Sequence, residues 1–163
     1  MKKLFGIFIL YTTISIMVQG FVFAAEKDYI EEGNFFLQKI ESNETAELNT
    51  MYLKNALYNF YVASKSTPPS SDALVGLGRV YMQMDKYDDA KNALFKAYSI
   101  DKYNAEANFY FGEFWFKYND YNEALLYFKN AYGLGYKDTN KVLDMIIKCY
   151  NKLGDEEGIN EIQ

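Results

Sequence analysis

From residue 71 onward apolar and polar positions alternate with a helical beat, and the beat restarts at a fixed step. Leu74, Leu77, Gly78 and Tyr81 fall at i, i+3, i+4 and i+7, which predicts one buried helical stripe. Tyr87, Ala90, Leu94 and Ala97 space out as a second helix. Thirty-four positions later the series returns as Gly112, Trp115, Tyr121, Ala124, Phe128 and Ala131. Ala90, Leu94 and Ala97 also fall, one step backward, on Ala56, Phe60 and Ala63. A period of this size marks a solenoid of stacked two-helix units, none of which can bury its apolar face alone. Asp85-Lys86, Asn119-Asp120 and Gly154-Asp155 separate the helices of each unit. Asp, Asn and Gly tolerate the left-handed backbone that a tight turn needs, and Asp120 and Asp155 are placed to cap the next helix. Small residues mark the crossings: Gly78 with Ala90, and Gly112 with Ala124.

The flanks are less regular. Leu143, Ile146, Ile147 and Tyr150 predict a further first helix, with Ile147 in place of the small residue and a short remainder to Gln163. Upstream, Tyr29, Gly33 and Phe36 match the first-helix spacing, but Gly33 and Ala56 are 23 apart, against 12 from Gly78 to Ala90. The 11 extra residues predict a divergent hairpin over 26–70, with an enlarged elbow at Glu41–Met51, and Ser42-Asn43 as the start signal into a long second helix over Thr45–Ser66. Thr67-Pro68-Pro69-Ser70-Ser71 breaks the chain before the regular units at 71–104 and 105–139; a shortened unit occupies 140–163.

The series Leu74, Leu77-Gly78, Tyr81, Tyr87, Ala90, Leu94, Ala97 resembles the tetratricopeptide repeat. So does the junction Ile100-Asp101-Lys102-Tyr103-Asn104-Ala105-Glu106-Ala107, except that Lys102 replaces the usual proline. The second copy departs at Asn108, where a large apolar residue is common. The resemblance implies an all-α, right-handed arc of about three and a half helix pairs. It also implies a concave groove lined by the first helices, where peptides bind. By register the groove would present Asp72, Val75, Arg79 and Met82, then Glu106, Phe109, Glu113 and Phe116, then Lys141, Asp144, Lys148 and Asn151. Val75, Met82, Phe109 and Phe116 would form its apolar centre. On this reading Phe109→Ala with Phe116→Ala removes partner capture and leaves helicity intact. The alternative is a groove covered by the elbow insert, the N-terminal helix or a second copy.

The start of the chain has another character. Met1-Lys2-Lys3 precedes an apolar run from Leu4 to Val18 and then Gln19-Gly20-Phe21-Val22-Phe23-Ala24-Ala25. A basic start, an apolar core and small residues at −3 and −1 of Ala24 are the build of a secretory signal peptide, residues 1–24. The competing reading is an uncleaved membrane anchor, since Leu4 to Ala25 is 22 residues long. Either way the repeats are expected outside the cytoplasmic membrane, periplasmic or secreted. No cysteine follows the run, so a bacterial lipid anchor is excluded.

Composition narrows the function. Of 163 residues half are hydrophobic and 18% aromatic, which excludes a disordered chain. Net charge is −5; setting aside Lys2 and Lys3 leaves 15 basic against 22 acidic residues, which argues against nucleic acid as partner. Arg79 is the lone arginine, so bidentate phosphate clamps are scarce. There is no histidine, and Cys149 is the one cysteine, placed to be a buried thiol or an interchain disulfide. No metal, cofactor or catalytic constellation is expected. Asp88-Asp89, Glu31-Glu32 and Glu156-Glu157 read as helix-start or solvated acids. Asn43-Glu44-Thr45 fits a glycosylation acceptor only weakly. The expected role is a non-catalytic adaptor or scaffold for a protein or peptide. The alternative is a structural envelope protein that self-associates through residues 140–163.

Overall fold

The structure is a computed structural model that describes the backbone of residues 2–42 and 45–162, with side chains from residue 15 onward except 19, 22, 23 and 41. Met1, the side chains of the basic start and of most of the apolar run, and the Asn43-Glu44 pair of the glycosylation tripeptide therefore lie outside what is described. Eight helices succeed one another among those described: α1 (Lys2–Glu41), α2 (Ala46–Ala63), α3 (Ser71–Gln83), α4 (Tyr87–Ile100), α5 (Ala105–Lys117), α6 (Tyr121–Gly133), α7 (Thr139–Leu153) and α8 (Glu156–Asn160). They pair as antiparallel hairpins, and each hairpin stacks on the next.

Local chemistry fixes the ends. Thr45, Ser70, Asn104, Asp120, Asp138 and Asp155 each accept a hydrogen bond from a backbone amide in the first turn of the helix they precede. Such caps contribute about 1 kcal/mol apiece. The turns use the left-handed backbone expected of them: φ is 56° at Asp85, 60° at Asn119 and 71° at Gly154.

Close approach explains the small residues. A Cβ at Gly33 would stand 2.7 Å from the Phe60 ring, one at Gly78 2.5 Å from Leu94, and one at Gly112 2.8 Å from Phe128. Phe60, Leu94 and Phe128 are repeat-equivalent, so one crossing recurs in three hairpins. In the last hairpin the small partner changes helix: Gly158 of α8 lies against Tyr150 of α7. Ile159 and Ile162 pack with it on the core, so α7 is covered where a longer helix would otherwise lie.

The first hairpin has the expected long second helix but not the enlarged elbow. Relative to α3 and α4, three of the extra residues lengthen α1, seven lengthen α2 and one widens the turn. The insertion became helix because Met51, Tyr52, Leu53 and their neighbours have no Gly or Pro to break it. The helix start expected near Ser42-Asn43 is set by Thr45. α1 passes without a break through the boundary expected after Ala24. Its early side chains Ile16, Met17, Val18 and Phe21 are 56–78% exposed. Among the described residues no helix is long and apolar enough to cross a membrane.

The core is divided. A small cluster around Leu37, Phe60, Leu77 and Val80 joins α1–α4. A larger one runs from Leu94 through Phe109, Phe111, Phe114 and Phe128 to Val142, Ile146, Cys149 and Tyr150.

Candidate binding groove

First helices pack against first helices, α1 on α3 and α3 on α5, whereas α2, α4 and α6 make no comparable contact with one another. The inner wall of the arc is therefore built from α1, α3, α5 and the start of α7. On α1, Ile30, Asn34, Leu37 and Ile40 are spaced to share one face, and all four line inner-wall cavities.

Arg79 organises this wall. Its Nη1 donates to Asn34 Oδ1 of α1 at 2.9 Å, and its guanidinium lies 4.6 Å from the centre of the Tyr110 ring on α5. It thus spans three helices and stands at the edge of two cavities. One, of 280 Å³, is lined by Ile30, Asn34, Asp72, Val75, Gly76 and Glu106 beside Arg79. The other, of 130 Å³, lies among Leu37, Ile40, Met82, Gln83, Tyr110, Glu113 and Lys141, again with Arg79. The cation over the ring is worth about 0.5–2 kcal/mol, depending on how much water is excluded.

Electrostatics on the floor are coupled. Burial pushes the Glu113 carboxyl above the usual carboxylate range, while Lys141, Arg79 and Lys117 pull it partly back. Lys141 Nζ stands 3.4 Å from Glu113 Oε1 and also 4.8 Å above the Phe109 ring. Glu106 pairs with Lys137 at the end of the wall. Burial raises the Tyr136 pKa, and the neighbouring Tyr110 adds to the shift. This arrangement can pair charges and hydrogen-bond a chain laid along it; it brings no nucleophile to a base.

Of the four residues expected to form an apolar groove centre, Val75 and Met82 line the inner-wall cavities and Phe109 and Phe116 do not. Phe109 is 0% exposed and stacks on Tyr136 with ring centroids 4.2 Å apart. It points into α6 and the α6–α7 connection instead of the groove. Val75 is buried at the floor and Met82 nearly so. Phe116 is half-buried at the elbow of its own hairpin, edge-on to Tyr121. Phe109→Ala is accordingly expected to loosen the fold by about 3–5 kcal/mol, which corrects its reading as a contact residue. Asp144 and Lys148 pair with each other on α7 and line neither cavity. Asn151 donates to the Ile147 carbonyl at 3.0 Å. Asp72, Arg79, Glu106, Glu113 and Lys141 do come together on the inner wall.

Sequence reasoning missed Tyr110, Asn34 and Gly76. Gly76 could have been found from bulk: its Cβ would collide with the Phe60 ring, already wedged against Gly33. The departures from the repeat pattern also find a reason. Asn108 is fully buried, and its Nδ2 donates to the carbonyls of Lys102 and Asn104, both at 2.9 Å. It ties down the junction where the usual proline is missing. Cys149 is fully buried, and burial raises its thiol to about 11. Asp88-Asp89 and Glu156-Glu157 occupy first turns of α4 and α8, and Glu31-Glu32 are exposed.

No protein-family model matches the chain, and no characterised protein matches it by sequence. Solved structures do match. The crystal structure of MamA superposes with a TM-score of 0.64 at 13% identity, over 84% of this chain and 73% of that one. A thermophilic TPR protein of Thermus thermophilus gives 0.62 at 22% identity, over 77% of this chain. PilF of Pseudomonas aeruginosa gives 0.66 at 22% identity, over 86% of this chain. The chain spans 62% and 59% of the length of the last two. With the recurring glycine–bulky-residue crossing, these likenesses identify the fold as an all-α solenoid of tetratricopeptide-type helical hairpins.

Proposed function

We propose that the chain is a non-catalytic protein-interaction module, exported to the cell envelope, that holds an extended segment of another protein along its inner wall. The observation that carries this reading is the convergence of Arg79, Glu113 and Lys141 on a floor shared by three hairpins. Arg79 and Glu113, half-buried in this way, gain more from a partner that completes their hydrogen bonds than exposed groups do. The groove reads polar groups and charge, because its apolar positions are taken up by the molecule's own core. Asp72, Arg79, Glu106, Glu113 and Lys141 are its contact residues, with Asn34 and Tyr110 added. Export rests on the N-terminal pattern of residues 1–24, and cleavage after Ala24 would leave the α1 face that lines the groove intact.

The test places a photocrosslinker at exposed Asp72 or Lys141 in the native envelope, with position 126 on the outer side as control. A discrete partner captured from the inner positions, and lost on Arg79→Ala, is the expected result. Equal capture from position 126, or capture indifferent to Arg79→Ala, would remove the groove from the function.

A further inference from the structure

We infer that the outer side of the solenoid carries a separate docking ridge for an acidic protein segment bearing aliphatic or aromatic side chains. Because the second helices splay apart, a cleft opens between each successive pair. The α2–α4 cleft measures 590 Å³ and the α4–α6 cleft 380 Å³. They are the same feature repeated: Ser64, Lys96, Ser99 and Ile100 line the first, and the residues 34 further on, Tyr98, Asn130, Gly133 and Leu134, line the second. A ligand that suits one cleft is offered a similar one a repeat further along.

Charge names the occupant. Lys65 and Lys96 flank the first cleft, Lys102 and Lys129 the second, and among the described residues Asp89 is the one carboxylate lining either. Asp101, next to Lys102, turns its carboxylate onto the Tyr103 amide at 2.9 Å. All four lysines are exposed, and among the described residues none has a carboxylate within ion-pair distance. Lys39, Lys54, Lys86, Lys91, Lys117 and Lys152 have no such partner either, so what sets the ridge apart is two lysines on each cleft with almost no carboxylate lining it. In a chain of net charge −5, unneutralised positive charge along one ridge favours an acidic partner by complementarity. The ridge is also apolar: Tyr61 is 51% exposed, Tyr103 71% and Ile100 47%. Exposed aromatic and aliphatic groups between the lysines favour side chains over bare phosphate. The acidic remainder of the surface would repel a polyanion longer than the ridge.

The experiment measures binding of the full chain to a fluorescent random copolymer of glutamate and tyrosine. The comparison ligands are polyglutamate, heparin and phosphatidylglycerol vesicles. The native chain is expected to bind the copolymer more tightly than polyglutamate. Reversing Lys65, Lys96, Lys102 and Lys129 to Glu should weaken copolymer binding about tenfold or more. Tyr61→Ser with Tyr103→Ser should erase the preference for copolymer over polyglutamate. Arg79→Ala should leave both unchanged, which separates the ridge from the inner groove. If the reversed chain loses helicity, the four Lys→Gln changes replace it, with a smaller loss expected. Absent copolymer binding, binding indifferent to the lysines, or no preference over polyglutamate would overturn the inference. Tighter lysine-dependent binding of heparin or vesicles would overturn it too, and would assign the ridge to a polyanion or to lipid.

Discussion

The first hairpin and the α5–α6 hairpin share one crossing and little else. In both, a glycine of the first helix admits the ring of a phenylalanine from the second: Gly33 with Phe60, Gly112 with Phe128. Away from that point α1 and α2 run on for ten more residues than the regular pair, and α1 continues to Lys2. Their inner faces differ as well. α1 offers Ile30, Asn34, Leu37 and Ile40, all uncharged, where α5 offers Glu106, Tyr110 and Glu113. The crossing is thus the constant geometric element of this molecule, while arm length and wall chemistry vary around it. Steric contact at one point sets how two helices meet, and nothing in that contact limits how far they extend.

Breaking the crossing should have the largest effect. Phe60→Ala and Phe128→Ala are each expected to lower unfolding free energy by about 3–5 kcal/mol in denaturant titrations, because both rings are fully buried. A loss confined to Phe128→Ala would show that the first hairpin does not depend on its crossing. Overfilling comes next: Gly112→Leu should destabilise by about 1–3 kcal/mol. Trimming the first hairpin by its eleven extra residues, to the length of the regular ones, should lower the melting temperature by less than half the Phe60→Ala effect. A larger drop would mean that the arms, too, hold the fold together.

The smallest change concerns wall charge. Glu113 has a raised pKa because desolvation outweighs the attraction of Lys141 and Arg79, so its ionised form opposes folding. That penalty is fully present above its folded pKa and is relieved as pH falls through it. Glu113→Gln should therefore melt slightly higher than the native chain near about pH 8, and the gap should close on acidification. A variant that melts lower at the higher pH would show that the ion pair outweighs burial.

Legibility in the sequence followed the same division. The 34-residue period exposed the crossings, the left-handed turns at Asp85, Asn119 and Gly154, and the aspartate caps, because each is a local steric or hydrogen-bonding demand. The wall was harder. Phe109 and Tyr110 are neighbours about 100° apart around the helix, and periodicity alone does not say which one meets the next hairpin. That choice was made by Tyr136, in the irregular α6–α7 connection, which supplies a stacking partner for Phe109 and leaves Tyr110 to Arg79. The long second helix was legible among the inserted residues, whereas their polarity overstated the elbow, which widens by one residue. Helix propensity and the Thr45 cap outweighed that signal.

The division of the core at α3 has a mechanical consequence. Leu77 and Val80 face the small cluster with Phe60, while Val75 and Met82 belong to the larger one that continues to Tyr150. Tension applied to the two ends of the chain would load the smaller cluster and the larger one in series. The α1–α2 pair should peel away first, leaving the rest folded, and its amides should exchange with deuterium sooner than those of α5 and α6.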